Sequence, residues 1–391
     1  MDERTRAYLR GRFGDYYRRA EVVEPPAADR REWGYIPWSR GSTTMVRHQS
    51  LLDMGDVGTF LAERRPRHVY FSAGRYRDPG ADTMAEKGWE GSDLIFDLDA
   101  DHLPSVDPDA DSLAEMLEAC KDALRRLLDF LSEDFGFSDL SVVFSGGRGY
   151  HVHVRDPGVR TLSREARRDV VDYVRGIDVE FEALSRTVTV AGEFGRSTPA
   201  ENTFLPTAGG WGAHAHHVLM ERVDELRDLP EDEALARLRE YDGIGEKLAA
   251  RTLEAIRNRY DAIAEGNVSV HNGVEKLARE SLSAAIERES AAIDEPVTTD
   301  THRLIRLPGS LHGGTGLRVT PIEIDDLDGF DPLADAVPEV FAGHEIAVRG
   351  DGGPPVEVGG QTFTVPADVI RLPEYAGVFL MARGRAEKEK E

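Results

Sequence analysis

The sequence predicts an α/β fold of the α+β kind: a mixed-sheet core with an inserted helical subdomain. Three observations predict it. Apolar and polar residues alternate at period two in short runs within 93–99, 139–154 and 301–324, each bounded by glycine or proline signals. A leucine stripe at helical spacing follows the first run. Residues 220 to 292 are highly charged and helical in pattern. The expected organisation is a core over residues 1–215, a helical insertion over 216–289, and the second part of the core over 290–391.

The elements follow in order. Residues 1 to 20 read as a helix, with Tyr8, Leu9, Phe13, Tyr16 and Tyr17 on one stripe. REWGYIPW (31–38) and RHVYFSAGRYRDPG (67–80) read as strands with turns. In DLIFDLDADHLP (93–104), Leu94, Phe96 and Leu98 fall on one face of a strand, and Asp97 and Asp99 on the other. An acidic loop then becomes a helix from about Ser112, with Leu113, Met116, Leu117, Cys120, Leu124, Leu127, Leu128 and Leu131 on its apolar stripe. Ser112 and Glu115 suit a capping box. DLSVVFSGGRGYHVHV (139–154) is strand, glycine turn, strand, and SREARRDVVDYVRG (163–176) is a helix. Pro230, Gly243, Gly266 and Gly273 read as breaks in the helical stretch. Strands resume over 301–324, and the closing RGRAEKEKE reads as a frayed tail.

Composition bounds the function. Hydrophobic residues make up 40% of the chain, enough for a core, and no run of 18 apolar residues predicts a membrane span. The N-terminus has no apolar signal segment, so a cytoplasmic protein is expected. The single cysteine, Cys120, excludes an internal disulfide and a Cys-based zinc site. Acids number 72 against 48 bases, a net charge of −24, and only six of the bases are lysines. Taken alone, that charge argues against a nucleic-acid partner. A salt-rich cytoplasm reverses the argument, because acidic surfaces stay hydrated there and screening at 1 M salt acts within about 3 Å. Local clusters must decide.

Three clusters carry chemistry. Asp97 and Asp99 project from one strand face roughly 7 Å apart along the chain. Two carboxylates that close repel and resist desolvation, and a divalent cation resolves both problems. A bare DxD is also what an acidic strand end running into a loop looks like. In SGGRGYHVHV, glycines 146, 147 and 149 allow positive φ and close backbone approach, Arg148 can grip phosphate through two N–H groups, and His151 and His153 share a strand face. A plain hairpin with a surface arginine is the bland alternative. In DEPVTTDTHRLIRLPGSLHGGTG, Asp294 and Asp300 are candidate acids, and Arg303, Arg306, Ser310 and His312 surround a glycine turn. A salt-bridged strand–turn–strand is its bland counterpart. Together the clusters supply what phosphoryl or nucleotidyl transfer needs: carboxylates for divalent metal and cations for a triphosphate.

GSDLIFDLDADHL, SGGRGYHVHV and RLIRLPGSLHGGTGL, in this order, resemble the three motifs of the archaeal-eukaryotic DNA primase small (catalytic) subunit. REWGYIPW and FSAGRYRDP are similar to its N-terminal part, so the resemblance spans about residues 30 to 320. It implies that Asp97 and Asp99 are the first two metal-binding acids. The third acid precedes Val-Thr in the family pattern, which selects Asp294 and keeps Asp300 in reserve. It implies nucleotide-binding roles for Ser145, Gly147, Arg148 and His151 in the glycine turn, and for Arg306, Ser310 and His312 in the third motif. The family commonly has a Cys/His zinc knuckle after the first motif. Here PSVDPDADSLAEMLEAC (104–120) has one Cys and no His, so no structural zinc is expected.

The resemblance implies the catalytic subunit of a haloarchaeal-like DNA primase. It would use Mg²⁺ or Mn²⁺ to join nucleoside triphosphates on a single-stranded DNA template, with a large subunit as heterodimer partner and no membrane. The nearest alternative is a primase-polymerase-type repair enzyme with the same core. An Asp-nucleophile phosphohydrolase is an alternative of another class, because FDLDAD carries its DxD. That class usually wants Thr or Val two residues after the second Asp, where this chain has Asp101. A non-enzymatic nucleic-acid-binding module leaves the acid face of Asp97 and Asp99 unexplained.

Overall fold

A computed structural model describes residues 1–39, 44–190 and 200–390. The chain forms two compact units, one of residues 1–124, 137–169 and 292–391, the other of residues 125–136 and 170–291. The paired strands among the described residues are all antiparallel, with helices at their flanks, so the architecture is α+β.

In the first unit the N-terminal helix spans Glu3–Tyr17 and buries Leu9, Phe13 and Tyr17. The Asp2 carboxylate caps it by accepting from the Thr5 N–H at 2.7 Å. Two four-stranded sheets follow. The first runs Leu304–Arg306, His68–Ser72, Trp33–Ile36, Val46–Gln49, and the second Thr320–Ile322, Leu140–Phe144, Gly149–Val154, Leu94–Asp99. The strand with the paired acids and the strand with Arg306 are thus both sheet edges. Ile95, on the acid face, packs in a buried cluster with Ala73, Val297 and Ile305. That cluster docks the arginine strand onto the acid strand, and the same face passes from apolar at Ile95 to carboxylate at Asp97 and Asp99. The helix Leu113–Asp129 starts with the expected box: the Ser112 Oγ accepts from the Glu115 N–H, and Glu115 accepts from the Ser112 N–H. Cys120 is fully buried, its thiol 3.4 Å from the Leu98 carbonyl.

The closing residues are not a frayed tail. The helix Glu374–Ala382 is buried along nearly its whole length, and Ala386–Lys388 forms a strand beside Glu345–Gly350 in a third sheet. Lys388 is 6% exposed, and its backbone N–H donates to the Thr5 Oγ1 at 2.8 Å. The charge-rich letters hid this, because the apolar segment EYAGVFLMA immediately before them anchors the chain inside the core.

The second unit is mainly helical, with Gly210–Asp228 packed on Asn272–Glu289, and among the described residues it carries one strand pair, Arg186–Val190 with Ala200–Phe204. The stretch 216–289 lies inside this unit, and the expected boundary at 215 falls within the helix Gly210–Asp228. Gly243 and Gly266 have positive φ and do break the chain. Gly273 instead lies in the first turn of its helix, where a Cβ would stand 1.8 Å from the Thr252 Oγ1. It serves close helix approach rather than termination.

Candidate active site

Three acids of the 93–99 segment do different work. Asp93 is fully buried and sits among guanidinium groups: Arg31 at 2.5 Å, Arg75 at 2.9 Å and Arg155 at 3.6 Å. Arg167, also buried, donates to the Asp93 and Ser92 carbonyls at 3.0 and 2.7 Å. Asp93 therefore anchors the base of the strand through a compensated ionic cluster. Asp97 and Asp99 have no such compensation. Among the described residues neither makes an ion pair with Lys or Arg. Asp97 has only the His151 Nε2 at 3.4 Å. Burial pushes the Asp97 carboxyl up to about 6, against the fields of Arg306 and Arg303 and with help from the Asp294 charge. Burial, then Asp97 and Asp101, raise Asp99.

The hairpin of Leu140–Phe144 and Gly149–Val154 is registered on the acid strand, with His151 opposite Asp97 and Gly149 opposite Asp99. Of the turn glycines only Gly146 takes a positive φ, 75°. Gly149 is required by proximity, since a Cβ there would lie 1.8 Å from the Leu98 carbonyl oxygen. Arg148 reaches Asp101 at 2.8 Å. His151 is 3% exposed, and burial, then Arg306, lower its pKa to about 3, so it is a neutral imidazole.

The third segment brings Arg306 and His312 to the same place. The Arg306 Nε is buried without a hydrogen-bond partner. The Thr315 hydroxyl donates to the Gly146 carbonyl and stands 3.1 Å from the His312 Nδ1. A hydroxyl has one proton, so Nδ1 must be the donor to Thr315, and the neutral ring leaves Nε2 as a lone pair. Burial, then Arg306 and His68, hold His312 well below the ordinary histidine range. The Ser310 hydroxyl donates to the Leu307 carbonyl at 2.7 Å and braces the turn. Asp294 begins the helix Glu295–Thr299 without capping it, and its N–H donates to the Asp97 carbonyl at 3.0 Å. The Asp300 carboxylate accepts from the His302 N–H at 2.9 Å.

Two recesses flank the acid strand and share Arg306. One, of about 450 Å³, is lined by Asp99, Ser145, Gly147, Arg148, Arg306 and His312. The other, of about 360 Å³, has Asp97, His151, Arg303 and Arg306 in its walls together with Asp300, Arg47 and Tyr70. Asp294 and Ser310 line neither. Sequence reasoning missed Thr315, Arg383 and Arg385, which also line the first recess, and Arg47 and Tyr70 in the second. It also passed over Asp101 and His102. With Asp99 they bring ligand atoms within 4.8 Å of one another and could hold a metal ion.

The structure thus defines an α+β core in which paired acids face a glycine-turn hairpin and an arginine strand. Residues 96–324 match the family model of the DNA primase small subunit, and the chain belongs to that family. Its relatives include the DNA primase small subunit PriS of Haloarcula marismortui, 61% identical over 392 positions that span 100% of both chains. The protein of the same name from Natronomonas pharaonis is 58% identical over 394 positions, again spanning 100% of both. That from Methanothrix thermoacetophila is 41% identical over 99% of this chain and 100% of its own length.

Proposed function

We propose that this chain is the catalytic subunit of a DNA primase, a nucleotidyltransferase that joins nucleoside triphosphates into short primers on single-stranded DNA and can extend them. The observation that carries this reading is the position of the two uncompensated carboxylates between two recesses that share Arg306. Each recess offers one of the acids to a reactant, Asp99 in the first and Asp97 in the second. Asp97, Asp99 and Asp294 would hold Mg²⁺ or Mn²⁺. Oxygen donors that have no lysine or arginine partner suit such a hard cation. A bound ion supplies Lewis-acid stabilisation of the attacking and leaving oxygens.

The chain's own groups do the rest. Arg148, Arg306, His312, Ser145 and the backbone at Gly147 hold the triphosphate and keep its reacting phosphorus over the acids. His151, expected among the nucleotide-binding residues, lies beside Asp97 on the neighbouring strand and orients that carboxylate in the second recess. Ser310 keeps the His312 turn in shape. No side-chain nucleophile is needed, because the attacking oxygen is the 3′-hydroxyl of the other nucleotide. A large subunit completes the enzyme as a heterodimer. No zinc is held after the first motif, where residues 104–120 contain one Cys and no His. Among the described residues no helix is long and apolar enough to cross a membrane.

Incorporation on an unprimed single-stranded template, with ribo- and deoxynucleotide sets and with and without a large subunit, tests the reading. Products that begin from two triphosphates support it. Synthesis only from a supplied 3′ end indicates a repair-type primase-polymerase. Template-free phosphate release through a phosphorylated aspartate indicates a phosphohydrolase.

A further inference from the structure

We propose that Arg383 binds the terminal phosphates of the incoming nucleotide, and so holds the pyrophosphate that leaves. This rests on the nucleotidyl-transfer reading above and extends its site to a segment beyond the family-matched residues 96–324.

Arg383 follows the buried helix Glu374–Ala382, and the chain is fixed again three residues later by the strand Ala386–Lys388. Both ends of this short segment are therefore held, and it places Arg383 and Arg385 in the wall of the first recess, with Arg148 and Arg306. Four guanidinium groups thus converge on one cavity of about 450 Å³ in a chain with 72 acids and 48 bases. Two of them have acids: Arg148 has Asp101 at 2.8 Å, and Arg385 has Asp351 at 3.1 Å. Arg385 is tied further to the Pro354 carbonyl at 2.8 Å. Among the described residues Arg383 and Arg306 have no carboxylate partner. The Arg306 Nε is buried without any hydrogen bond. A chain so rich in acid leaves these two unmatched where an anion is to be received.

A cation after a helix also interacts with the helix's negative end, which is the bland explanation of Arg383. That interaction needs no other cation beside it. Arg383 instead stacks over the Phe379 ring, 5.3 Å from its centroid, and faces the recess. Arg383 is exposed to solvent at the recess, and desolvation, then the charges of Arg385 and Arg148, lower its pKa. The cations that act most on Asp97 are Arg306 and Arg303, and Arg383 is not among the main charges at either acid. Arg148 is not among them either, whereas Arg306 acts on both acids, so Arg383 and Arg148 stand farther from the carboxylates than Arg306. With the α-phosphorus over the acids, the part of the nucleotide that reaches Arg383 is the β,γ end. In the transfer step the 3′-oxygen bonds to the α-phosphorus and the α–β bridging bond breaks. Its electron pair leaves with pyrophosphate, the hydroxyl proton goes to solvent, and Arg383 meets the departing charge.

The test uses Arg383→Met, which keeps a stem over Phe379, Arg383→Lys, and Arg148→Met, each in the full chain with Mg²⁺. Binding of inorganic tripolyphosphate, AMP and a single-stranded DNA oligonucleotide is measured by calorimetry. Arg383→Met should weaken tripolyphosphate binding roughly 10- to 100-fold, the loss expected for one charge-assisted contact. It should leave AMP and the oligonucleotide unchanged, and Arg383→Lys should recover part of the loss. Unchanged tripolyphosphate affinity, an equal loss for AMP, or a loss confined to the oligonucleotide overturns the proposal. Arg148→Met separates the two levels. If it weakens tripolyphosphate while Arg383→Met does not, this inference alone fails. If neither variant matters, the triphosphate assignment of the recess fails with it.

Discussion

Asp97 and His312 each hold a protonation state that function must change. The Asp97 carboxyl titrates near 6 when folded, against the ordinary 3.8. The folded state therefore retains a proton that the unfolded chain has lost, and stability falls as pH rises from about 4 to about 6. Above that range the full cost is of the order of 3 kcal/mol, at 1.36 kcal/mol per unit. Metal-free Asp97→Asn should thus be more stable than the wild type at pH 7.5, with the difference closing towards pH 4. Urea unfolding with chelator at both pH values checks this, and a difference of the opposite sign would show that the carboxylate is compensated when folded. For His312, the Nδ1–H is committed to Thr315, so Nε2 can donate to a phosphate only as imidazolium. Free His312 is neutral, and nucleotide binding should take up a proton. The dissociation constant then rises up to tenfold per pH unit from the free residue's pKa upward, a point well below the ordinary 6.5. Calorimetry in two buffers of different ionisation enthalpy should record the uptake in the wild type and lose it in His312→Ala.

The hairpin is the element that sets the acids' position. Gly149 lies opposite Asp99 so closely that any Cβ meets the Leu98 carbonyl. Gly149→Ala should push the acid strand off the hairpin, lower stability by about 1–3 kcal/mol and abolish most incorporation. Thermal melts and an incorporation assay check both, and a silent variant would mean that the register carries no catalytic geometry. At this scale the sequence was most legible where a period or turn signal is strong. The strand alternation at 94–99, the Ser112 box and the stripe with Cys120 all stand where patterning put them. What patterning cannot show is which strands meet. Ile95, Val297 and Ile305 are distant in sequence, yet their packing carries Arg306 to the acids. The same limit hid Arg383 and Arg385, because charged letters outweighed the buried apolar helix that precedes them. Asp93 looked like its neighbours, and only tertiary contacts with Arg31, Arg75 and Arg155 give it a different role.

Over the whole molecule, a net charge of −24 repels itself and any polyanion. Relatives from haloarchaea are 57–61% identical to this chain, in agreement with a salt-adapted composition. Salt shortens the reach of that repulsion from about 30 Å at 0.01 M to about 3 Å at 1 M. The melting temperature should therefore rise with KCl from tens of millimolar to molar, and a flat or falling series would remove the salt-adapted reading while leaving the site untouched. Counterion release works against template binding as salt rises, but relief of the repulsive field makes the decline shallower than for a basic protein with similar phosphate contacts. The central claim is that Asp97 and Asp99, with Asp294, hold the ion over which nucleotides are joined. Template-dependent nucleotide incorporation by Asp97→Asn, Asp99→Asn, Asp294→Asn and Asp300→Asn, each shown to be folded, tests it most directly. The account predicts losses of orders of magnitude for the first three and a smaller loss for Asp300→Asn. Retained activity in Asp97→Asn or Asp99→Asn would contradict it.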